Sequence, residues 1–349
     1  MLKYEQLFTF KNLYNAYLKS RKSKRFKKEV INFESNLGSN LSKLQEELLN
    51  EKYGLNGLNY HSFMVYEPKE RRVDAIEFKD RIVQHCLCDN YLVPLYEKRL
   101  IYDNAATRIN KGTDFARKRL KYFHYDYFNK KGSNKGYVLK CDIHHFFQSI
   151  DQDVLRKMLK KDIKDNKILK LINLIIDSFE LEKSKGLPIG NQTSQLFGIR
   201  YLDKIDRLIK EKFRIKYYIR YMDDFLLIHE SKEYLNMIYK EIKKILLDEF
   251  KLELNKKTRI YKLSDSVEFL GFNYRLLNNK KIVMKTCGKK RKNFSNKINC
   301  KIKSYSKGKI NKEKLFSTFN SYINHLSKGN NYLFKVKIIK LKEDIASKA

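Results

Sequence analysis

Hydrophobic patterning is clearest in the run Lys216-Tyr217-Tyr218-Ile219-Arg220-Tyr221-Met222-Asp223-Asp224-Phe225-Leu226-Leu227-Ile228, where two adjacent acids interrupt aromatic and aliphatic residues. β-Branched and aromatic residues on both sides favour strands, and the acids break the apolar pattern at its centre. The run therefore predicts a β-hairpin with Asp223 and Asp224 at the turn. A second apolar run, Tyr137-Val138-Leu139-Lys140-Cys141-Asp142, predicts a strand ending in Asp142, followed by the aromatic pair Phe146-Phe147 and a helix start. Phe63 to Tyr66 reads as a strand, and Glu67-Pro68-Lys69-Glu70 as a turn.

Helical spacing fills the intervals. Residues 1–60 read as mainly helical, with Tyr14, Leu18 and positions between Phe33 and Leu49 on the repeat. Residues 151–182 predict a helix pair covering the sheet. A further helix is expected from Asn191 to Ile209, after the loop Gly186 to Gly190, and another from Glu233 to Phe250. Residues 276–349 are expected to be helical, with Phe294, Ile298, Ile302 and Tyr305 on one face. Adjacent strand residues point oppositely, so Phe146 is expected to face the core and Phe147 the other side.

Composition narrows the partners. The chain has 349 residues, 42% of them hydrophobic, enough for one large domain or two to three smaller ones. Its 75 Lys and Arg against 40 Asp and Glu leave a net charge of +35. A surplus of that size implies a polyanion, with nucleic acid the default; the competing reading is a solvated basic face in a Lys-rich composition. The surplus is uneven, which favours nucleic acid: Lys280 to Ala349 holds 20 basic and 3 acidic residues, about half of the excess in one fifth of the chain. A smaller basic cluster, Ser20 to Lys28, is either a phosphate contact or a solvated helix face. The five cysteines are odd in number and form no CxxC pair, so neither a disulfide framework nor a zinc site is suggested. No signal-peptide-like apolar core and no run of about 18 apolar residues is present, so a cytoplasmic protein without membrane contact is expected.

The acids carry the candidate chemistry. An unpaired buried carboxylate costs several kcal/mol, so acids set in such apolar runs call for a cation. Asp142, Asp223 and Asp224 together offer hard oxygen ligands suited to Mg²⁺. Two such ions about 3.5–4 Å apart stabilise the attacking and leaving oxygens of a phosphoryl displacement. His144 and His145 do not suit Mg²⁺ and complete no transition-metal set; they are read as structural or RNA-contacting.

These segments, in this order, resemble reverse transcriptases. The Asp142 stretch looks like the first palm motif of that family and Tyr221-Met222-Asp223-Asp224 like its catalytic box. Lys185-Gly186-Leu187-Pro188-Ile189-Gly190-Asn191-Gln192-Thr193-Ser194-Gln195 lies between them, and Asn255-Lys256-Lys257-Thr258 and Val267-Glu268-Phe269-Leu270-Gly271-Phe272 follow. The likeness covers roughly residues 61–275. Ile189-Gly190-Asn191-Gln192-Thr193-Ser194-Gln195 is similar to the enzymes of diversity-generating retroelements; many other members begin this motif with Gln and end it with Pro.

The resemblance implies an α+β, right-hand polymerase fold: an N-terminal helical extension over 1–60, fingers over 61–135, a palm with an antiparallel sheet over 136–275 carrying a fingers insertion at about 151–195, and a helical basic thumb over 276–349. It implies RNA-directed DNA synthesis by two Mg²⁺ ions, with Mn²⁺ able to substitute, held by Asp142, Asp223, Asp224 and the Ile143 carbonyl. Arg72, with Arg71 and Lys69 behind it, would hold the triphosphate of an incoming dNTP. Phe147 would act as a steric gate against a ribose 2′-hydroxyl. Ile189 and Gly190 would lie at the nascent base pair, with Gln195 and Ser194 holding the loop. Lys256 or Lys257 would protonate the departing pyrophosphate. Arg108, Lys111, Lys289, Lys290, Arg291 and Lys292 would meet template RNA or the RNA–DNA duplex. Gly112-Thr113 would cap a helix, and Val267 to Phe272 would form a primer-grip hairpin. A small basic accessory protein is a further expected partner. Rival readings are a phage-defence reverse transcriptase making untemplated or protein-primed DNA, a non-catalytic RNA-binding scaffold, and a polymerase making RNA, which Phe147 disfavours.

Overall fold

The computed structural model describes residues 2–66, 70–179 and 181–347. In chain order the elements are helices α1 (Tyr4–Leu7), α2 (Phe10–Ser20), α3 (Lys28–Glu34) and α4 (Leu37–Leu49); strands β1 (Tyr60–Val65) and β2 (Arg71–Ile76); helices α5 (Phe78–Leu87), α6 (Val93–Glu97) and α7 (Thr113–Lys131); strand β3 (Tyr137–Asp142); helices α8 (Phe146–Ser149), α9 (Gln152–Asp162), α10 (Asn166–Asp177), α11 (Gln192–Tyr201) and α12 (Asp203–Arg207); strands β4 (Tyr217–Tyr221) and β5 (Asp224–His229); helix α13 (Lys232–Phe250); strands β6 (Arg259–Lys262), β7 (Val267–Phe269), β8 (Phe272–Leu276) and β9 (Ile282–Thr286); and helices α14 (Gly288–Ser306), α15 (Lys312–Ser327) and α16 (Tyr332–Ser347). Helix and antiparallel sheet together give the expected α+β class. Among the described residues no helix is long and apolar enough to cross a membrane.

Among the described residues the strands form three sheets, ordered β1-β2, β4-β5-β3-β6 and β7-β8-β9. The chain folds into two compact units, each assembled from separate segments: residues 1–112, 141–225 and 237–258 in the first, and 113–140, 226–236 and 259–349 in the second.

In the first unit the helices follow from capping and periodicity. Asp165 accepts hydrogen bonds from the Lys167 and Ile168 amides, starting α10, and Asp151 accepts from the Val154 amide, starting α9. α10 then buries Ile168, Leu171, Ile172, Ile175 and Ile176, the spacing of one helical face. In α2 the buried residues are Leu13, Ala16, Tyr17 and Ser20, whereas Tyr14 and Leu18, expected on the repeat, are exposed. The helix expected from Asn191 to Ile209 is broken into α11, α12 and a π-helical turn at Leu208–Lys212.

In the second unit β6 pairs antiparallel with β3, Tyr137 opposite Lys262 and Lys140 opposite Arg259. β7 and β8 form the expected hairpin, with left-handed residues Leu270 and Gly271 at its turn. β9 then pairs with β8, Phe272 opposite Thr286. The region from 276 onwards was expected to be helical; a β-branched pair, Ile282-Val283, instead makes this short third strand before the helices begin. Phe294, Ile298, Leu315, Phe319, Leu326 and Ile338 form the core of the three terminal helices, with Ile302 and Tyr305 packed against it, as the spacing along α14 predicts.

Candidate active site

Two elements carry the acids. β4 and β5 are separated by only Met222 and Asp223, and a two-residue connection joins antiparallel strands. The turn thus falls one residue earlier than expected: Asp223 lies in it and Asp224 opens β5. Met222 carries the left-handed conformation, φ 56°, which a non-glycine residue adopts only where its surroundings hold it.

That hold comes from Arg220. Its guanidinium is fully buried and donates to both Asp206 oxygens, Nε to Oδ1 at 2.6 Å and Nη2 to Oδ2 at 2.5 Å. Nη1 donates to the Met222 carbonyl at 2.9 Å, and Nη2 also to Ile199 at 3.1 Å. Tyr218 Oη donates to Asp206 Oδ1 at 2.5 Å and Asn104 Nδ2 to Oδ2 at 3.3 Å. Burial alone would drive the Arg220 proton off; the Asp206 charge more than offsets this and raises its pKa well above that of a free guanidinium. Neither Arg220, read simply as part of a strand, nor Asp206 was singled out by sequence reasoning. A charged residue in an otherwise apolar strand was the available signal.

Asp142 ends β3, the strand hydrogen-bonded beside β5. Its carbonyl accepts from the Asn255 amide at 2.7 Å, and its amide donates to Thr258 Oγ1 at 3.3 Å. The Asn255–Thr258 stretch therefore braces the Asp142 backbone. Ile143 lies opposite Leu254, with the bonds made by their neighbours, His144 to Glu253 and Asn255 to Asp142. In such a non-hydrogen-bonded pair the Ile143 carbonyl points away from Leu254. Asp142, Asp223 and Asp224 are each partly exposed. Among the described residues, no group of three or more His, Cys, Asp or Glu side chains stands close enough together to hold a metal ion.

Phe146 and Phe147 lie on α8, not on a strand, because the chain turns at His145 through φ 43°. Phe146 is buried and Phe147 half-buried, and both pack on Gly198 of α11, where a Cβ would stand 3.1 Å from Phe146 and 3.3 Å from Phe147. His144 and His145 are exposed and meet edge to face, centroids 4.2 Å apart.

The Ile189 carbonyl accepts from the Asp74 amide at 3.2 Å, tying the loop to β2. Gly190 has φ 125°, and a Cβ there would stand 3.2 Å from Val73, so glycine is needed for this approach to β2 itself. Gln195 is exposed and its Oε1 accepts from Thr107 Oγ1 at 3.1 Å; Ser194 is buried.

The basic candidates divide. Arg72 is more than half exposed and bonded to Asp74 at 2.8 Å and Ser62 at 3.0 Å; Arg71 is exposed, and Lys69 lies outside the described residues. Arg108, expected at nucleic acid, is instead used internally. Its nearly buried guanidinium donates to Glu97 and to the Ile101 and Asn104 carbonyls, closing the loop before α7. Lys111 donates to the Tyr102 carbonyl and lies over that ring, 4.5 Å from its centroid. Lys256 and Lys257 are exposed.

Within the second unit Lys289, Arg291 and Lys292 are exposed on α14. Lys290 differs from them: it is half-buried, burial lowers its pKa, and its amine sits where a Cβ on Gly271 would be 2.9 Å away. His325 stacks on Phe272, centroids 4.6 Å apart, and burial lowers its pKa to about 4, assisted by Lys290 and Arg117.

Comparison with known proteins gives the family. Residues 69–274, more than half of the chain, match the family described as reverse transcriptase (RNA-dependent DNA polymerase). Among solved structures, apo telomerase from Candida tropicalis is similar at 14% identity and a TM-score of 0.49, over 71% of this chain and 53% of that one. Telomerase from Candida albicans, in complex with the TWJ fragment of telomeric RNA, is similar at 15% identity and a TM-score of 0.47, over 71% and 50%. The chain spans about half the length of these structures. No curated protein sequence matches it. With the acids at the β4–β5 turn and at the end of β3, and with the family match extending across both, the chain belongs to the reverse transcriptase family.

Proposed function

We propose that this protein copies a structured template RNA into DNA. One observation carries the reading: the strand ending in Asp142 and the strand opening with Asp224 are neighbours in one sheet, with Asp223 in the turn before the latter. The donors are all hard oxygen, on a partly exposed edge, the type that Mg²⁺ or Mn²⁺ takes, and binding would have to draw the three carboxylates closer together. Asp142, Asp223, Asp224 and the Ile143 carbonyl would hold two such ions, which when bound activate a primer hydroxyl and offset phosphate charge. The remaining roles belong to the chain. Arg72, backed by Arg71 and Lys69, grips the triphosphate of a dNTP. Phe147 excludes a 2′-hydroxyl. Ile189 and Gly190 bound the nascent pair, Gln195 steadies their loop, and Lys256 or Lys257 protonates the leaving group. Lys111 and the α14 cations track phosphates.

The subtype follows from Ile189. An aliphatic side chain fills space but offers no hydrogen bond, so base shape is checked less stringently, as in a diversity-generating retroelement enzyme that miscopies adenine. A small basic accessory protein would complete that assembly.

Primer extension on an RNA template tests the core of the reading. The wild type extends with dNTPs, while Asp223→Asn and Asp142→Asn abolish extension and retain RNA binding. Extension by either variant at the wild-type rate overturns it.

A further inference from the structure

A polar cavity of about 220 Å³ lies in the first unit, lined by Lys24, α5 and the loop opening α11. Arg81, Gln84 and His85 share one face of α5, at i, i+3 and i+4. Asn191 is the N-cap of α11, yet its side chain caps nothing. Four buried polar atoms on the cavity-lining residues find no partner among the described residues, Arg81 Nη1, Gln84 Nε2, His85 Nδ1 and Gln192 Oε1, while the Asn191 amide bonds the Tyr60 hydroxyl. Native interiors leave few such atoms, and four on the residues of one cavity mark a place for a guest. Gln84 and Asn191 are themselves only 1% and 4% exposed.

The orphaned atoms define the guest. Thr193 Oγ1 donates to Gln84 Oε1 at 3.0 Å, leaving the Gln84 amide nitrogen as the unpaired group. Two of the four are then donors, and His85 adds a third in its protonated or Nδ1–H form. Burial lowers the pKa of Lys24, Arg81 and His85, so each charge lacks solvation that an anion would restore. The nearby acids are Glu29, felt by Lys24 and Arg81, and Asp89, felt by His85 and bonded to Gln192 Nε2 at 3.0 Å. The positive end of the ten-residue α11 adds to the field. The space is smaller than pockets that enclose whole ligands, roughly 300–1,000 Å³.

We propose that this cavity receives a single phosphoryl group, from a polynucleotide strand or from a nucleotide, held by Arg81, Gln84, Asn191 and Lys24. The inference rests on the nucleic-acid-copying reading only for the source of the phosphate; the cavity's preference for an anion stands apart from it.

The test is Asn191→Asp in the full chain. It keeps the side-chain volume, puts a carboxylate at the cavity and is favourable at an N-cap, so folding is retained and checked by melting temperature. Arg81→Gln is the second variant. Affinity for a labelled 12-nucleotide RNA is read against salt, and the KM for a dNTP in primer extension separately. A strand source gives about tenfold weaker RNA binding and a salt slope smaller by about one, with KM unchanged. A nucleotide source gives an unchanged RNA affinity and about a tenfold higher KM. Unchanged RNA affinity and KM in both folded variants mean the cavity holds only water and overturn the proposal. RNA binding is read without catalysis, so a chain inactive in extension but sensitive to Asn191→Asp would sink the polymerase reading and leave this one standing.

Discussion

Arg220 and Asp206 form a fully buried ion pair, and the third arm of the arginine reaches the carbonyl of Met222, the residue before Asp223. Removing one partner of such a pair leaves the other charged and desolvated, which costs about 3–5 kcal/mol. Arg220→Met should therefore lower unfolding stability by about that amount, read by urea titration. In whatever fraction stays folded, primer extension should fall while RNA affinity holds. Arg220→Met with wild-type stability would show that the pair is dispensable. Asp206→Asn should cost a comparable amount, since it keeps the shape but leaves the Arg220 charge buried with no counter-charge.

The steric role of Phe147 is testable by competition. With Gly198 against its ring, Phe147 has little room to retreat. Phe147→Ala should raise ribonucleotide incorporation by at least about tenfold relative to deoxynucleotide, on the premise that the ring excludes the 2′-hydroxyl. An unchanged ratio would assign discrimination elsewhere.

Ile189 makes the fidelity prediction. Replacing it with Gln restores a hydrogen-bonding group at the position where many family members carry one. Misincorporation opposite template adenine, read by product sequencing, should drop in Ile189→Gln. An unchanged adenine spectrum removes the subtype proposal and leaves the polymerase reading untouched.

Acid should act on the two units in opposite directions. In the first unit Asp80 accepts from Tyr53 Oη at 2.8 Å, but burial dominates and raises its pKa to about 6. An acid harder to ionise when folded destabilises once ionised, so this contribution improves as pH falls from 6 towards 4. In the second unit burial lowers His124 and His325 to about 4. The unfolded chain then takes up protons first as pH drops below 6.5, and stability is lost between 6.5 and 4. Burial also lowers His85 on α5, which opposes Asp80, so in a His85→Gln background hydrogen exchange at pH 7 and pH 5, corrected for intrinsic rates, should show α5 better protected at pH 5 and α7 less so. Protection falling equally in both would contradict the assignment.

Salt dependence tests the basic helices. Lys289, Arg291 and Lys292 are exposed, so changing all three to Gln should reduce the slope of log affinity against log salt by about three if each meets a phosphate. Lys290 is left out because half of its stem is packed, and its loss would mix charge with stability.

What could be read in the sequence was what repeats locally. The β4–β5 hairpin, the strand ending in Asp142, the helix over α13 and the apolar face of α14 all follow from spacing or β-branching over a few residues. What could not be read was set by long-range partners. Arg108 looked like a free cation until Glu97, eleven residues earlier, was seen to hold it. Phe146 was expected inside, and it is, but on a helix, because His145 reverses the chain. β9 escaped because five residues among lysines carry too short an alternation to stand out. The carboxylate triad was legible as types and order, whereas the brace behind it, Arg220 with Asp206, joins residues fourteen apart that no local pattern links.

Each unit is sewn from three lengths of chain, and the passages between them fall at 112/113, 140/141, 225/226, 236/237 and 258/259. On the ribosome, therefore, the first unit cannot close until Thr258 has emerged, although it begins at the N-terminus. α2 and α5 can pack on each other early, but α5 lacks its later partner α11 until Tyr201 has been made. Domains that occupy one continuous stretch avoid this interval. It also means that no single cut will release either unit whole.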